Sequence, residues 1–246
     1  MGAAGSQPCI SDQPENEIVF PKRGCFTTAC TAEDAGGLHS VVYCLPNLTG
    51  GGFGAKAGCG VSSTDSAKLW LDIGAARRKL GDQEGARDAF VEARGIHQRG
   101  GTITTSEGAL LLKSIGDMKC ESGDFLGALD SYLEARKIRA STGTLKTPEG
   151  AQLLMYLGGA RRAVGQLEPA LEAFEEARQI HEEMGLLDTL DGALLLHFIG
   201  ATQCDRGDHA GAIEVLSHAR GIRELQGSLE TPDGALLVAN IGRARG

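Results

Sequence analysis

The residues best able to do chemistry in this chain of 246 residues are its cysteines and histidines. Thiolate and imidazole groups bind zinc, and a cysteine beside a histidine can act as a nucleophile. Five of the seven cysteines lie in the first 62 residues, close to His39; they are Cys9, Cys25, Cys30, Cys44 and Cys59. Their spacings are irregular and contain no CxxC pair, which is not typical of a zinc site. We therefore expect no metal ion, no cofactor and no enzymatic activity.

The first six residues, Met1 to Ser6, match the acceptor pattern for N-myristoylation. That reaction acylates the free amine of Gly2 and requires small residues after it and a hydroxyl at the sixth position. A single myristoyl chain binds membranes only weakly, so Cys9 is the natural place for a second acyl chain. The alternative is an unmodified tail of small residues. Gly2 and Cys9 are thus lipidation candidates, and they predict weak membrane association.

The composition indicates a folded protein that does not bind nucleic acid. Hydrophobic residues make up 41% of the chain, enough to bury a core, and the formal net charge is −8. Nucleic-acid affinity depends on Lys and Arg that displace counterions from phosphates, so this charge argues against a general nucleic-acid binder. The sequence shows neither a long apolar run nor a basic-then-apolar signal peptide. We expect a cytoplasmic protein.

A four-residue motif recurs every 42 residues and divides most of the chain into units. Its copies begin at Thr105, Thr147, Thr189 and Thr231, and the copy at Thr147 reads "TPEG". Thr is a good helix N-cap, Pro fits the first turn, and the following acid complements the helix dipole, so each copy predicts a helix start. The units are residues 63–104, 105–146, 147–188 and 189–230, with 231–246 opening a fifth. Residues 1–62, which contain many Gly, Cys and Pro, are predicted to form a flexible, irregular N-terminal arm.

Each unit is predicted to contain two helices, because apolar residues recur three or four apart on both sides of a break such as Gly81-Asp82. Small residues recur in register, among them Gly74 and Gly158, and offer flat places where helices can approach closely. One hairpin cannot bury its own apolar face, so the units must stack into an α-solenoid. We expect eight helices in four hairpins and a last helix from Pro232 to Ala244. Leu236, Leu237 and Ile241 of that helix are expected to cap the stack, or to continue it in a longer chain.

The order of small and aromatic residues in each unit resembles that of the tetratricopeptide repeat, whose usual unit has about 34 residues. In the first unit the order runs through Trp70, Ile73, Gly74, Gly81, Ala86, Phe90 and Ala93. The longer step of 42 residues is similar to the repeats of kinesin light chains. In kinesin light chain repeats, a second helix whose end resembles Ala219 to Glu224 leads into a next helix whose start resembles Pro232 to Ala235. The resemblance covers roughly residues 63 to 246 and implies a right-handed solenoid whose concave groove holds a partner segment.

The predicted groove follows the face of each first helix that is turned away from the second helix. At its centre an apolar patch lies beside three cations, which predicts a ligand segment with one or two large apolar anchors and a nearby acid. The candidate residues are Arg78, Lys113, Met155, Tyr156, Arg162, Leu194, His197 and Phe198. The alternative is that these side chains pack between adjacent units.

Two histidines outside the groove share one repeat position with two arginines. His97 and His181 correspond to Arg139 and Arg223, near the end of each second helix. Cations favour the negative end of the helix dipole, so we expect these four side chains to be solvent-exposed charges.

These patterns predict a non-catalytic scaffold or adaptor that binds a protein or peptide partner. One alternative is a metal-binding or catalytic role of the cysteine-bearing arm, with the repeats as a targeting platform. Another is a sensor fragment of a larger signalling regulator.

The lipidation hypothesis predicts that the native protein has lost Met1 and carries one myristoyl group on the Gly2 amine. Intact mass spectrometry of the protein purified from its own host measures this. A Gly2→Ala variant, which lacks the acceptor, serves as the control. An N-terminus that is unmodified, or that carries only an acetyl group, rules the hypothesis out.

Overall fold

The computed structural model describes residues 63–246, which form an all-α solenoid. Nine helices in this part make four hairpins followed by a single helix, which confirms the predicted fold class. They are α1 (Ser63–Lys79), α2 (Gln83–Arg99), α3 (Ser106–Glu121), α4 (Phe125–Ser141), α5 (Pro148–Ala163), α6 (Leu167–Glu183), α7 (Leu190–Arg206), α8 (His209–Leu225) and α9 (Pro232–Arg245). Within residues 63–246, no helix combines the length and the hydrophobicity needed to span a bilayer.

A glycine in the first helix of each hairpin receives a large side chain from the second. A Cβ atom placed on Gly158 would lie 2.5 Å from the ring of Phe174, far closer than van der Waals contact allows. The same contact recurs in the other hairpins, between Gly74 and Phe90, Gly116 and Tyr132, and Gly200 and Leu216. The four large side chains are almost completely buried. The predicted close approach of the helices is therefore confirmed.

The recurring Thr and Gly of the sequence motif build the start of each first helix after α1. In α5, the Thr147 hydroxyl oxygen accepts a hydrogen bond from the Gly150 backbone N–H at 3.2 Å, and Thr105, Thr189 and Thr231 cap their helices in the same way. A Cβ atom on Gly150 would lie 1.9 Å from the carbonyl oxygen of Leu145, because the preceding loop folds back over the helix start. The motif thus combines an N-cap with a position where only glycine fits.

The second helices begin after a tight turn that also repeats. Asp82, Asp124 and Asp208 accept a hydrogen bond from the backbone N–H three residues later, as predicted for N-caps. The glycine before each cap has a positive φ, for example 79° at Gly81. This left-handed conformation is strained for other residues, which explains why glycine recurs there.

The hairpins stack so that the first helices lie on the inner side of the curve. Each second helix packs against the first helix of the next unit. The backbones of consecutive first helices, α1, α3, α5, α7 and α9, approach one another closely, whereas those of consecutive second helices among the described residues do not and are linked by ion pairs such as Arg136 with Glu176. Because neighbouring elements approach most closely on the concave side of a curved stack, the first helices form the concave face.

The last helix, α9, covers the end of the described stack. It packs on α8 and α7, and Leu237 and Ile241 are buried there. Leu236, by contrast, is 59% exposed, so its predicted part in the cap is wrong. The reason is the rotation of about 100° per helical residue, which turns Leu236 outward when Leu237 points inward.

The burial of Leu237 predicts that Leu237→Ala lowers the free energy of unfolding by about 2 to 3 kcal/mol, since it leaves a cavity under α9. The adjacent Leu236→Ala is the matched control and is expected to change it by less than about 0.5 kcal/mol. Urea denaturation followed by circular dichroism measures both. Equal effects of the two substitutions would show that α9 does not cap the stack through Leu237.

Candidate functional site

Two cavities meet on the inner face of α5. The first, of about 400 Å³, lies between the starts of α5 and α7 and is called the α5–α7 notch; Glu149, His181, Leu186 and Asp191 are among its lining residues. The second, of about 250 Å³, lies between α3 and α5. Met155, Tyr156 and Phe198 line both cavities, so the two form one continuous surface, the inner groove. A continuous concave surface with apolar and polar lining residues is the usual form of a binding site.

Tyr156 lies where the two cavities join. It is 41% exposed, its ring stacks on Tyr132 with 6.2 Å between centroids, and the Lys113 ammonium lies 4.3 Å from its ring centre. Burial of the phenol raises its pKa, and the negative charge of Asp117 raises it further. Tyr156 is therefore a neutral phenol that offers an apolar face and a hydroxyl to the groove.

Phe198 supplies the second aromatic surface of the groove. Its ring stacks nearly parallel on that of Phe174, at 5.8 Å between centroids, and Phe174 is itself fully buried against Gly158. The aromatic surface is therefore supported from below by the hairpin core.

A buried carboxylate organises one end of the groove. Asp117 is 8% exposed and accepts hydrogen bonds from the Tyr132 hydroxyl at 2.8 Å and from Lys113 at 3.0 Å. Arg78 forms an ion pair with the same carboxylate at 3.0 Å. Burial raises the pKa of Tyr132, and the charge of Asp117 adds to this effect. Arg78 and Lys113 are thus already paired, which does not support the expectation that they receive an acid of a ligand.

The predicted cation Arg162 is also paired. Its Nε lies 2.6 Å from Asp205 of α7, and Arg243 of α9 reaches the same carboxylate at 3.1 Å. One aspartate therefore connects three consecutive first helices. Arg162 lines neither cavity of the groove.

His197 contacts neighbouring elements and does not line the groove. It is 7% exposed, and the side-chain amide of Asn240 donates to its Nε2 at 2.6 Å. Burial lowers the pKa of its imidazole, and the nearby charges of Arg223 and Arg162 lower it further. His197 therefore joins α7 to α9 as a neutral ring, in the packing role that the sequence left as the alternative.

Of the residues predicted to form the groove, the cavities bring together Arg78, Met155, Tyr156, Leu194 and Phe198. Lys113 contacts the groove through the Tyr156 ring. Four acidic residues at or near the groove were not among the candidate residues predicted from the sequence, namely Asp117, Asp205, Glu149 and Asp191. The spacing of Lys113 and Asp117, four residues apart in one helix, was the available signal for the first of them.

The shared His/Arg position is buried, so the prediction of solvent-exposed charges was wrong. The exposed fractions are 3% for His97, 7% for Arg139, 4% for His181 and 4% for Arg223. The link to the next unit folds back over the end of the second helix and covers these side chains. Arg139, for example, donates to the backbone carbonyl of Thr144 at 3.3 Å.

The cysteine-rich segment, with Gly2, Cys9 and the four further cysteines, lies outside the described residues. Within residues 63–246, Cys120 and Cys204 are free thiols. Burial raises the pKa of the Cys120 thiol. The same part of the chain contains no group of three residues able to hold a metal ion.

Comparison with known proteins identifies the class of fold. No protein-family model and no curated protein sequence matches the chain. Solved structures do match: a kinesin light chain-like protein of Podosopora anserina with nearly identical TPR-like repeats is 15% identical, with a TM-score of 0.64 over 74% of this chain and 86% of that one. The chain therefore has the fold of tetratricopeptide-like repeat proteins.

A second solved structure also matches the chain. BtubC (BKLC) of P. vanneervenii is 18% identical, with a TM-score of 0.63 over 74% of this chain and 72% of that one. The resemblance to repeats of the kinesin light chain type is thus confirmed for the fold.

The network around Asp117 predicts that Asp117→Ala lowers the free energy of unfolding by about 2 to 3 kcal/mol, because two cations and the Tyr132 hydroxyl lose their partner. Asp205→Ala is the matched comparison. Its ion pairs are more exposed, so we expect a loss of about 1 kcal/mol or less. Urea denaturation of both variants measures the difference, and a loss at position 117 no larger than at 205 would contradict this reading.

Proposed function

We propose that the protein is a non-catalytic scaffold that holds a segment of a partner protein along the inner groove. The segment lies across the first helices α3, α5 and α7, in an extended or helical conformation. Its apolar side chains contact Tyr156 and Phe198. In this role the chain brings its partner into an assembly and does not transform it.

The observation that carries this proposal is the exposure of Tyr156 on the concave face where two cavities join. A large aromatic side chain that is partly exposed in a concave site is typical of a binding hot spot. Its hydroxyl and ring face offer both polar and apolar contact, as aromatic residues at protein interfaces commonly do.

The rigidity of the groove also supports binding. Tyr156 stacks on Tyr132, and the hydroxyl of Tyr132 is held by Asp117. Phe198 stacks on Phe174 in the same way. A surface that is ordered before the partner arrives loses little conformational entropy on binding, so more of the contact energy contributes to affinity.

The proposal places this scaffold in the cytoplasm, with acylation at Gly2 and Cys9 as its route to weak membrane association. The alternative metal-binding or catalytic role concerns the cysteine-bearing arm, outside the described residues. Among residues 63–246, no contact favours that role. None favours the other alternative either, in which the chain is a sensor fragment of a larger signalling regulator.

The test compares partner capture by the full-length protein and by groove variants. We expect Tyr156→Ala together with Phe198→Ala to reduce capture by about 30-fold, in line with the loss of a binding hot spot. Tyr156→Ala alone separates binding from stability, because this side chain is 41% exposed. Crosslinking in the host followed by quantitative mass spectrometry measures capture, and circular dichroism checks the fold.

The matched control replaces exposed apolar residues on second helices. Val91 and Leu225 are 62% and 91% exposed, and Val91→Ala with Leu225→Ala removes exposed apolar side chains away from the groove. This control is expected to capture the same partners as the parent protein. If the groove variants do so too, the inner groove is not the binding surface.

A further inference from the structure

We infer that the α5–α7 notch binds an arginine side chain of the partner segment. This inference rests on the proposed function and specifies the chemistry of the partner. It follows from what occupies the corresponding notches elsewhere in the solenoid, from an unpartnered buried histidine, and from the charges that line the cavity.

The notches before and after this one each contain an internal arginine. In the preceding notch, Arg139 is buried and donates to Thr144. The pKa of Glu149 there is lowered by hydrogen bonds from its own backbone N–H and from Thr147, and also by the charge of Arg139. In the following notch, Arg223 lies 3.6 Å from Asp233. At two of these repeat positions, therefore, the fold already accommodates a guanidinium beside the acid in the first turn of the next unit's first helix.

His181 occupies that position in the α5–α7 notch and leaves it incompletely filled. It is 4% exposed, and its Nδ1 has no hydrogen-bond partner among the described residues. The equivalent His97 of the first unit is satisfied, because its Nδ1 lies 2.8 Å from the Thr102 hydroxyl. Leu186 stands at the position of Thr102 and has no such group. A buried polar atom without a partner is costly, and a turn of the imidazole ring that brings Nδ1 to the cavity would let a ligand group pair with it and remove that cost.

One acid of this notch, Asp191, has no cation from the described residues, whereas Glu149 is already close enough to Arg139 for that charge to lower its pKa. Glu149 and Asp191 both line the cavity, and no Lys or Arg does. Asp191 holds the repeat position of Asp233 but forms no ion pair within residues 63–246. The charge of Asp191 also contributes to the raised pKa of Tyr156, after burial and Asp117. The notch therefore presents unpaired negative charge next to the aromatic surface of the groove.

The dimensions and walls of the notch favour arginine. Its volume is about 400 Å³, against about 310 Å³ for the preceding notch, which already contains Arg139. Pro148, Leu186 and Leu194 offer apolar walls to the aliphatic part of an arginine side chain. The planar guanidinium has five donors, enough for two carboxylates and an imidazole nitrogen, whereas the lysine ammonium has three. Because the notch continues to Tyr156 and Phe198, the same partner segment can place an apolar side chain there.

A small probe tests the notch directly. We expect N-acetyl-arginine methylamide, titrated into the isotope-labelled full-length protein, to shift the NMR signals of the Leu186 and Leu194 methyl groups and of the His181 ring. The citrulline analogue has nearly the same shape without the charge, and we expect it to bind at least about tenfold more weakly, since charge-assisted hydrogen bonds are lost. Equal shifts with both probes would overturn the inference.

Substitution of His181 gives a sharper test. His181→Arg should fill the notch with an internal guanidinium, as Arg139 and Arg223 do, so we expect a folded protein whose response to the arginine probe falls by at least about tenfold. His97→Arg makes the same change in the first unit and should leave the probe response intact. Glu149→Gln with Asp191→Asn should also abolish the response. Unchanged binding to His181→Arg would place the probe elsewhere and overturn the inference.

Selection of a random dodecapeptide library on the full-length protein separates this inference from the proposed function. We expect the selected peptides to combine an arginine with an apolar residue and to need both Tyr156 and Asp191. Peptides that need Tyr156 but contain no preferred arginine, or an acid instead, would overturn the arginine site and leave the scaffold role standing. Failure to select any peptide that depends on Tyr156 would count against the inner groove as a binding surface. The probe titration would still show whether the α5–α7 notch binds arginine.

Discussion

The contact between a glycine of one helix and a large side chain of the next determines the geometry of every hairpin in the described solenoid. At Gly158 and Gly200 the partner side chains approach so closely that a Cβ atom could not be accommodated. Tyr156 and Phe198 each lie two residues before one of these glycines, which turns them by about 200° around the helix axis. Docking the glycine against the second helix therefore directs the aromatic residue into the groove. The packing of the hairpin core and the position of the groove aromatics therefore both follow from the same contact between a glycine and a large side chain.

Residues that act locally made most of the fold predictable from the sequence. Thr147 caps its own helix, and Gly158 needs no distant information to be recognised as a close-contact position, because both recur at a fixed period. The charged contacts were not predictable in this way. Asp117 meets an arginine of the preceding unit and Asp205 meets one of the following unit, so the choice of partner depends on rotamers and on the helix-to-helix offset. The burial of His181 was missed because the loop that covers it is visible only in three dimensions.

The repeat provides an internal comparison that a single-copy domain lacks. Positions that agree between units describe what the fold requires, as with the glycine beneath Phe174 or Tyr132. Positions where the residue type differs between units, although the backbone geometry is the same, indicate a property of one unit that the others lack. His181 differs from Arg139 in this sense, and the difference occurs beside the most exposed aromatic residue of the groove. In a solenoid of this kind, specificity resides in departures from the repeat.

Ion pairs join neighbouring units on both sides of the stack. Between first helices, Asp205 pairs with Arg162 and Arg243, and between second helices Arg136 lies 2.8 Å from Glu176 and Arg94 lies 3.7 Å from Glu134. Apolar packing is nearly insensitive to salt, whereas partly exposed ion pairs weaken as ionic strength rises. The partly exposed ion pairs between units therefore weaken as ionic strength rises, on the inner and on the outer side alike, whereas the buried apolar contacts between hairpins do not. Salt thus separates two classes of contact in the described solenoid, the apolar packing within and between hairpins and the charged contacts that fasten one unit to the next.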